Sequence, residues 1–324
     1  MSPLVSIIIP CKNAALWLGE TIRSCLAQTW SSIEIIVIDN GSDDDSAAIA
    51  RGFGDRVTLL ACERPGAAAA RNVGLARAGG KFIQFLDADD LLDPDKIAVQ
   101  MARLETAPTG TIASGAWSRF RDDPSEAQFV AEPVWRDLAP GDFLISSWLG
   151  GGMMPNFAWL VPRTVIDRAG PWDETLSLLD DGEYFCRVVL ASSGIAFCEG
   201  ARGYYRTGSA ATLSRRRDRA ALESAYRSTA FSCDRLLALR EPRAGAKNAC
   251  ATLWQRFIYD AFPLAPDLVV RAEAQVTALG GSDLRPGGGP TFRALALCFG
   301  WKAARRCQNA WRSLRRASTG RVTP

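Results

Sequence analysis

Histidine is absent from all 324 residues. That gap removes every mechanism that needs an imidazole, including the serine and cysteine triads and histidine-ligated zinc sites. A general base must then be a carboxylate or, less suitably, a lysine, tyrosine or cysteine. No Gly-x-Gly-x-x-Gly stretch follows the first strand, which disfavours a dinucleotide-dependent dehydrogenase. The nine cysteines are scattered, and no two are spaced as a two-residue-gap pair, so zinc is disfavoured and free thiols in a reducing compartment are expected. No apolar run reaches the roughly 18 residues of a membrane span, and the N-terminus has no charged-then-apolar signal pattern; the expected location is the cytoplasm. Acidic residues are missing after Asp283, where nine lysines and arginines stand. Of 38 basic residues, 29 therefore precede that point, against 35 acids: an acidic body carries a basic tail.

What is present is organised around Lys81 to Asp90. Phe82, Ile83, Phe85 and Leu86 form an apolar run of strand length that ends in Asp87, Asp89 and Asp90. Carboxylates gathered at the end of a buried strand repel one another and resist desolvation unless a cation or hydrogen-bond donor meets them. Asp87 and Asp89 can both turn toward a hard divalent ion such as magnesium or manganese. The competing reading is that these acids merely open the next helix. Asp93 before Pro94 reads as the N-cap of that helix, which leaves Asp87 and Asp89 for chemistry.

Upstream, Val5 to Pro10 is a near-continuous apolar run that reads as a buried parallel strand, with a polar turn at Cys11 to Asn13. Leu16 to about Gln28 has helical periodicity, and Ile33 to Ile38 is a second strand followed by Asp39, Asn40 and further polar residues. Strand, helix, strand implies a right-handed parallel unit whose ligand sits outside the carboxyl ends of the strands. A third strand is expected near Val57 to Cys62. The alanine-rich stretch before Gly79 and Gly80 reads as a helix with side chains small enough to pack closely on the sheet, and it carries Arg71.

Further on, a helix is expected over Pro94 to Leu104 and strands over Thr111 to Phe120, Trp159 to Val161, Ile195 to Cys198 and Gly203 to Arg206. Residues 121 to 150 are irregular, and their Trp135 and Trp148 belong either to the core or to an acceptor cleft. A second acid cluster, Asp180, Asp181 and Glu183, opens a helix whose dipole favours anions, and Glu183 with Arg187 reads as an i,i+4 surface pair. Helices follow over Arg215 to Arg240, Ala246 to Phe262 and Leu268 to Leu279, then a Gly/Pro linker from Asp283 to Pro290. Phe292 to Leu314 sets leucines and aromatics among arginines. It is either an interfacial helix for an anionic membrane surface, a packed terminal helix or a disordered tail.

Five stretches together resemble the family 2 glycosyltransferases: Val5 to Pro10 with Lys12-Asn13, Ile36 to Asp44, Ala70 to Gly74, Phe85 to Asp90, and Leu179 to Arg187. They occur in the family's order and cover about residues 4 to 210. The resemblance implies an α/β GT-A sandwich with a mostly parallel central sheet, followed by a C-terminal helical region. The expected division is a glycosyltransferase domain over 1–212, a helical extension over 213–282, and a linker with a basic amphipathic helix over 283–324. It further implies transfer, with inversion, of one sugar from a nucleoside diphosphate sugar to a hydroxyl of a glycan or lipid-linked acceptor. A UDP-sugar is the expected donor and cell-surface polysaccharide the expected product; no nucleic-acid partner is expected.

Carried over by position, Asp39 contacts the nucleotide base with Pro10 and Lys12 nearby, Arg71 approaches the nucleotide and phosphates, and Asp87 faces the ribose. Asp89 holds Mg²⁺ or Mn²⁺, and Asp181 is the catalytic base. Asn40, Asp180 and Arg206 are supporting positions. Asn40 stands where the family has a second aspartate, and Asp180 where it has glutamate. The histidine that often follows the Tyr-Arg pair is missing at Thr207 to Ser209, and the Gln-x-x-Arg-Trp motif of processive synthases is absent, which favours single addition. The alternatives are a non-catalytic sugar-nucleotide or glycan-binding homologue, against which Asp181 is retained, and a sugar-nucleotide pyrophosphorylase. The latter would open its first loop with a glycine-rich basic segment, unlike Pro10 to Asn13. Peripheral attachment to the inner face of the plasma membrane is the expectation for the tail.

Overall fold

The computed structural model describes residues 2–208, 216–241 and 243–319, with side chains of the last helix as far as Trp311. The helix start expected at Arg215, the boundary at 212/213 and Arg321 lie outside them. The strands are β1 (Val5–Cys11), β2 (Ile33–Asp39), β3 (Thr58–Ala61), β4 (Phe82–Phe85), β5 (Leu91–Leu92), β6 (Thr111–Phe120), β7 (Val161–Pro162) and β8 (Gly194–Arg206). The first sheet has the order β3-β2-β1-β4-β7, parallel except for β7. Its inner strands β1, β2 and β4 are apolar runs read from the sequence and are mostly buried on both faces, as a parallel sheet requires, while the edge strand β3 is only partly covered. A second sheet, β5-β8-β6, stands beside it.

Helices α1 (Leu18–Leu26), α2 (Ser46–Arg51), α3 (Ala67–Arg77) and α4 (Lys96–Glu105) connect and cover these strands. Then come α5 (Pro140–Ser146), α6 (Arg163–Ala169), α7 (Asp180–Ala191), α8 (Arg219–Leu237), α9 (Ala246–Ala261), α10 (Pro266–Ala278) and α11 (Pro290–Thr319). The small residues of α3 act as expected. A Cβ on Gly74 would lie 2.4 Å from the Ile8 side chain and 2.8 Å from that of Ile38, so only glycine lets the helix sit this close.

Several expectations change. The strands expected at Ile195 to Cys198 and Gly203 to Arg206 are one continuous β8, paired with β6 across a register shift at Gly115/Ala116. Asp93 does not cap α4, which begins at Lys96; it accepts from the Asp95 amide at 3.2 Å and the Tyr204 hydroxyl at 3.2 Å. Glu183 and Arg187 are not a surface pair. They are buried, with two hydrogen bonds of 2.7 and 2.8 Å, because α6 and α8 cover this helix. Trp148 is buried and Trp135 stacks on Phe197, so both belong to the core. Helices α5 and α6, short and weakly periodic, were not expected. One apolar cluster runs from the sheet residue Phe85 through Trp159 and Trp172 to Trp254 and Phe257 of α9, so α8 to α10 share the core of the sheet.

Candidate active site

Parallel pairing brings strand ends level, and the register fixes which residues meet. Cys11 at the end of β1 pairs with Asp39 at the end of β2. Their turns are laced together: the Asn13 amide donates to Ser42 Oγ at 3.0 Å, and the Asp43 amide donates to Asn13 Oδ1 at 2.8 Å. Pro10 and Asp39 are half-buried there, and Lys12 is exposed beside them. Asn40 is buried. Its Nδ2 donates to the carbonyls of Cys62 and Arg64 at 3.0 and 2.7 Å, and its Oδ1 accepts from the Gly66 amide at 2.8 Å. An ionised aspartate would set its charge against two carbonyl oxygens, so the departure from the family pattern suits this loop.

The next turn follows β4. Leu86 still donates to the Ile8 carbonyl at 3.0 Å, and Asp87 is the first residue beyond the pairing. Its Oδ1 accepts from Arg71 at 2.8 Å. Arg71, 5% exposed, donates with its other terminal nitrogen to Asp180 Oδ2 at 3.0 Å and lies 4.4 Å over the Trp172 ring. Burial opposes its charge, but Asp87 and Asp180 outweigh that and hold its pKa above the ordinary arginine value. Arg71 thus ties the acids after β4 to the acids of α7. The sequence reading sends its guanidinium to the phosphates, whereas here it is engaged by the two carboxylates.

Asp89 is pushed up to about 6, first by burial and then by Asp87. Asp90 is buried and raised well above the carboxylate range by burial and by Asp89, although its Oδ1 accepts from the Arg206 amide at 2.8 Å. The Arg206 guanidinium donates to the Asp89 carbonyl at 2.8 Å, the Arg121 carbonyl at 3.2 Å and the Glu20 carboxylate at 2.5 Å. The supporting arginine therefore fixes the backbone of the aspartate turn.

Asp181 is open to solvent yet lies in a hollow. Surrounding protein and then Asp180 raise its pKa to about 6, while Arg71 pulls it down. The acid pair is aimed by Leu179, which adopts a left-handed backbone (φ 58°). Two serines of α8 hold that turn: Ser224 Oγ accepts from the amides of Ser177 and Leu178 at 2.8 and 3.0 Å, and Ser228 donates to the Leu179 carbonyl at 2.7 Å. Tyr205 is pushed up to about 12 by burial and then by Asp90, Asp87, Asp89 and Asp181, so one phenol feels acids from both clusters.

The structure gathers Arg71, Asp87, Asp89, Asp180, Asp181 and Arg206 into one region, with Pro10, Lys12, Asp39 and Asn40 along the same sheet edge. Sequence reasoning missed Tyr205, Glu20, the Trp172 floor and Asn156, whose Nδ2 lies 3.4 Å from Asp87 Oδ2 and whose buried Oδ1 has no partner. Three glycines at 150 to 152 and Pro155 stand just before Asn156, a local signal of a flexible or close-approach segment, and Tyr205 adjoins Arg206 in sequence. Glu20 and Trp172 carried no local signal.

Among the described residues no three His, Cys, Asp or Glu side chains converge as a ready metal cage. The donor set nevertheless fits a hard cation. Asp87 and Asp89 offer carboxylate oxygens, Asp87 raises the cost of charge on Asp89, and magnesium sites commonly take one or two carboxylates with the rest from substrate phosphates and water.

The sequence model described as Glycosyl transferase family 2 matches residues 6–146. An uncharacterized glycosyltransferase of Rickettsia prowazekii (strain Madrid E) is 32% identical over 192 residues, covering 59% of this chain and 60% of the relative. The glycosyltransferase GlyG of Streptococcus pneumoniae serotype 4 is 26% identical over 225 residues, covering 66% of this chain and 74% of that protein. The chain thus spans about three fifths of the length of the first of these relatives. Among solved structures, S. aureus TarS 1-349 in complex with UDP-GlcNAc aligns with a TM-score of 0.71 at 15% identity, over 96% of this chain and 92% of that one. The mannosyltransferase PcManGT from Pyrobaculum calidifontis, in complex with GDP-Man and Mn²⁺, aligns with a TM-score of 0.53 at 18% identity, over 96% and 88%. At such identities the likeness speaks for the fold, a GT-A arrangement of mostly parallel sheet with C-terminal helices. Residues 6–146 thus carry a match to the Glycosyl transferase family 2 model, and the relatives they resemble are named glycosyltransferases.

Proposed function

We propose that the protein transfers one sugar, with inversion, from a nucleoside diphosphate sugar to a hydroxyl of a glycan or lipid-linked acceptor in cell-surface polysaccharide synthesis. The observation that carries this is Arg71, which holds Asp87 and Asp180 together and so sets the base-bearing turn beside the aspartate turn. Asp39, Pro10 and Lys12 receive the nucleotide at the ends of β1 and β2, and Asp87 faces the ribose. Asp181 takes the proton of the acceptor hydroxyl as its oxygen attacks the anomeric carbon. The bond to the diphosphate breaks with its electron pair leaving on the phosphate oxygen. Asp89 is the side chain to hold Mg²⁺ or Mn²⁺, which when bound would neutralise charge developing on the diphosphate. Arg206 keeps Asp89 in place through its carbonyl. The acceptor enters past Tyr205, by the hollow lined by Trp117, Arg119, Gln128 and Glu132.

UDP-sugars are the first donors to test, because the TarS structures hold UDP-GlcNAc and UDP. The basic C-terminal segment places the enzyme on the cytoplasmic face of an anionic plasma membrane.

The test is a panel of nucleotide sugars scored with Mn²⁺ for thermal stabilisation, followed by transfer assays. Asp181→Asn should keep the stabilisation and lose transfer by about 10²- to 10⁴-fold, the usual worth of a positioned base. Asp89→Ala should lose the Mn²⁺-dependent part of the stabilisation. Unchanged turnover in Asp181→Asn would reject the assignment.

A further inference from the structure

Helix α11 is interrupted at Gly300, whose φ of 78° and ψ of 154° lie outside helical space. Nothing approaches within 4 Å of where its Cβ would be, so the glycine serves the backbone and not a close contact. Just before the break Leu297, Cys298 and Phe299 are all exposed, Leu297 at 83% and Phe299 at 71%. Consecutive helical residues point to different sides, so this last turn stands clear of the body. After the break the chain turns back. Trp301 meets Tyr259 and Phe262 edge-on at 4.8 and 5.2 Å, Lys302 pairs with Glu273 at 2.6 Å, and Ala304 is buried. On the near side Phe292 is buried beneath the Arg305 guanidinium, 5.0 Å from its ring. Both arms of the corner are anchored, and its apex presents two large apolar side chains.

The flanks are basic. Arg293 and Arg306 are exposed, Lys302 is also exposed but paired with Glu273, and the sequence has no acid after Asp283. A positive surface of this kind repels a second copy of itself and attracts lipid phosphates. We infer that the corner at Gly300 is a membrane-insertion tip: Leu297 and Phe299 enter the acyl boundary of an anionic bilayer while the flanking cations meet its headgroups. This inference rests on the reading that the basic C-terminal segment faces a membrane.

The test sediments the full-length protein with vesicles of phosphatidylcholine alone and of phosphatidylcholine mixed with phosphatidylglycerol. Deleting α11 would uncover Tyr259 and Phe262, so point substitutions serve better. Wild type should bind only the mixed vesicles. The double substitution Leu297→Ser and Phe299→Ser should lower the partition coefficient by at least about tenfold at an unchanged melting temperature. In Phe299→Tyr, which keeps the ring, binding should persist. Undiminished binding of the double variant, with wild type still selective for anionic vesicles, overturns the tip and leaves a purely electrostatic attachment. Failure of wild type to bind mixed vesicles overturns both readings. A dimer in vesicle-free solution that the double substitution dissolves would assign the apex to self-association instead.

Discussion

Lys96 is fully buried, and its ammonium faces Gln84 Oε1 and, at 3.5 Å, the Trp159 carbonyl. Burial pushes its pKa well below the ordinary lysine value. In the unfolded chain the same group stays protonated up to about pH 10.4. Between the lowered folded value and that limit the unfolded state binds more protons, so stability rises with pH, by at most about 1.4 kcal/mol per unit. With no histidine to titrate, the range from neutrality to the onset of thiol ionisation is unusually clean. Urea unfolding in the part of that range above the lowered folded value should show a positive slope for wild type and a flatter one for Lys96→Met; equal slopes at every pH up to thiol ionisation would refute the role given to this lysine. The sequence pattern hid all of this. It placed Lys96 in a helix, but that its ammonium points inward, toward the Gln84 amide, depends on β7 and the turn at Asn156 to Ala158 closing over the sheet. Asp87, Asp89 and Asp181 were legible, because carboxylates ending an apolar strand or opening a helix stand out locally. Arg71 was legible as a cation near the site, but not as the partner of two acids, since Asp180 lies 109 positions away.

Among the elements, α8 does the most that its sequence conceals. Its Ser224 hydroxyl accepts two backbone amides and donates to the Leu178 carbonyl at 2.9 Å, all in the turn that delivers Asp180 and Asp181. Leu179 has no glycine-like freedom, and a left-handed leucine costs about 1 kcal/mol or more, which these contacts offset. Ser224→Ala leaves two amides without an acceptor, that of Leu178 buried and that of Ser177 partly so. It should destabilise the protein by about 2–3 kcal/mol and lower kcat more than it weakens donor binding, checked by thermal unfolding and donor titration. A loss of stability with kcat intact would separate this turn from the chemistry. Parallel strands were readable from unbroken apolar runs. The joining of two expected strands into β8 was not, because Cys198 and Arg202 pair with the adjacent Gly115 and Ala116 of β6, so residues 199–201 bulge out within one strand.

Over the whole molecule, the helices after residue 216 complete the core of the sheet. Trp254 and Phe257 belong to the same apolar cluster as Phe85 and Trp159, and α7 packs directly on α8. A truncation ending at Gly208 should therefore lose cooperative thermal unfolding and bind a hydrophobic dye, whereas a sharp transition near the full-length temperature would show that the α/β part stands alone. Composition announced the change from strands to helices, but periodicity tells only that a helix has an apolar face and not what covers it. The placement of Arg71 has a consequence for how such a protein can diversify. The loops along the sheet edge can drift in length and composition, while the span between the aspartate turn after β4 and the acids that open α7 is gauged by the breadth of a single planar cation.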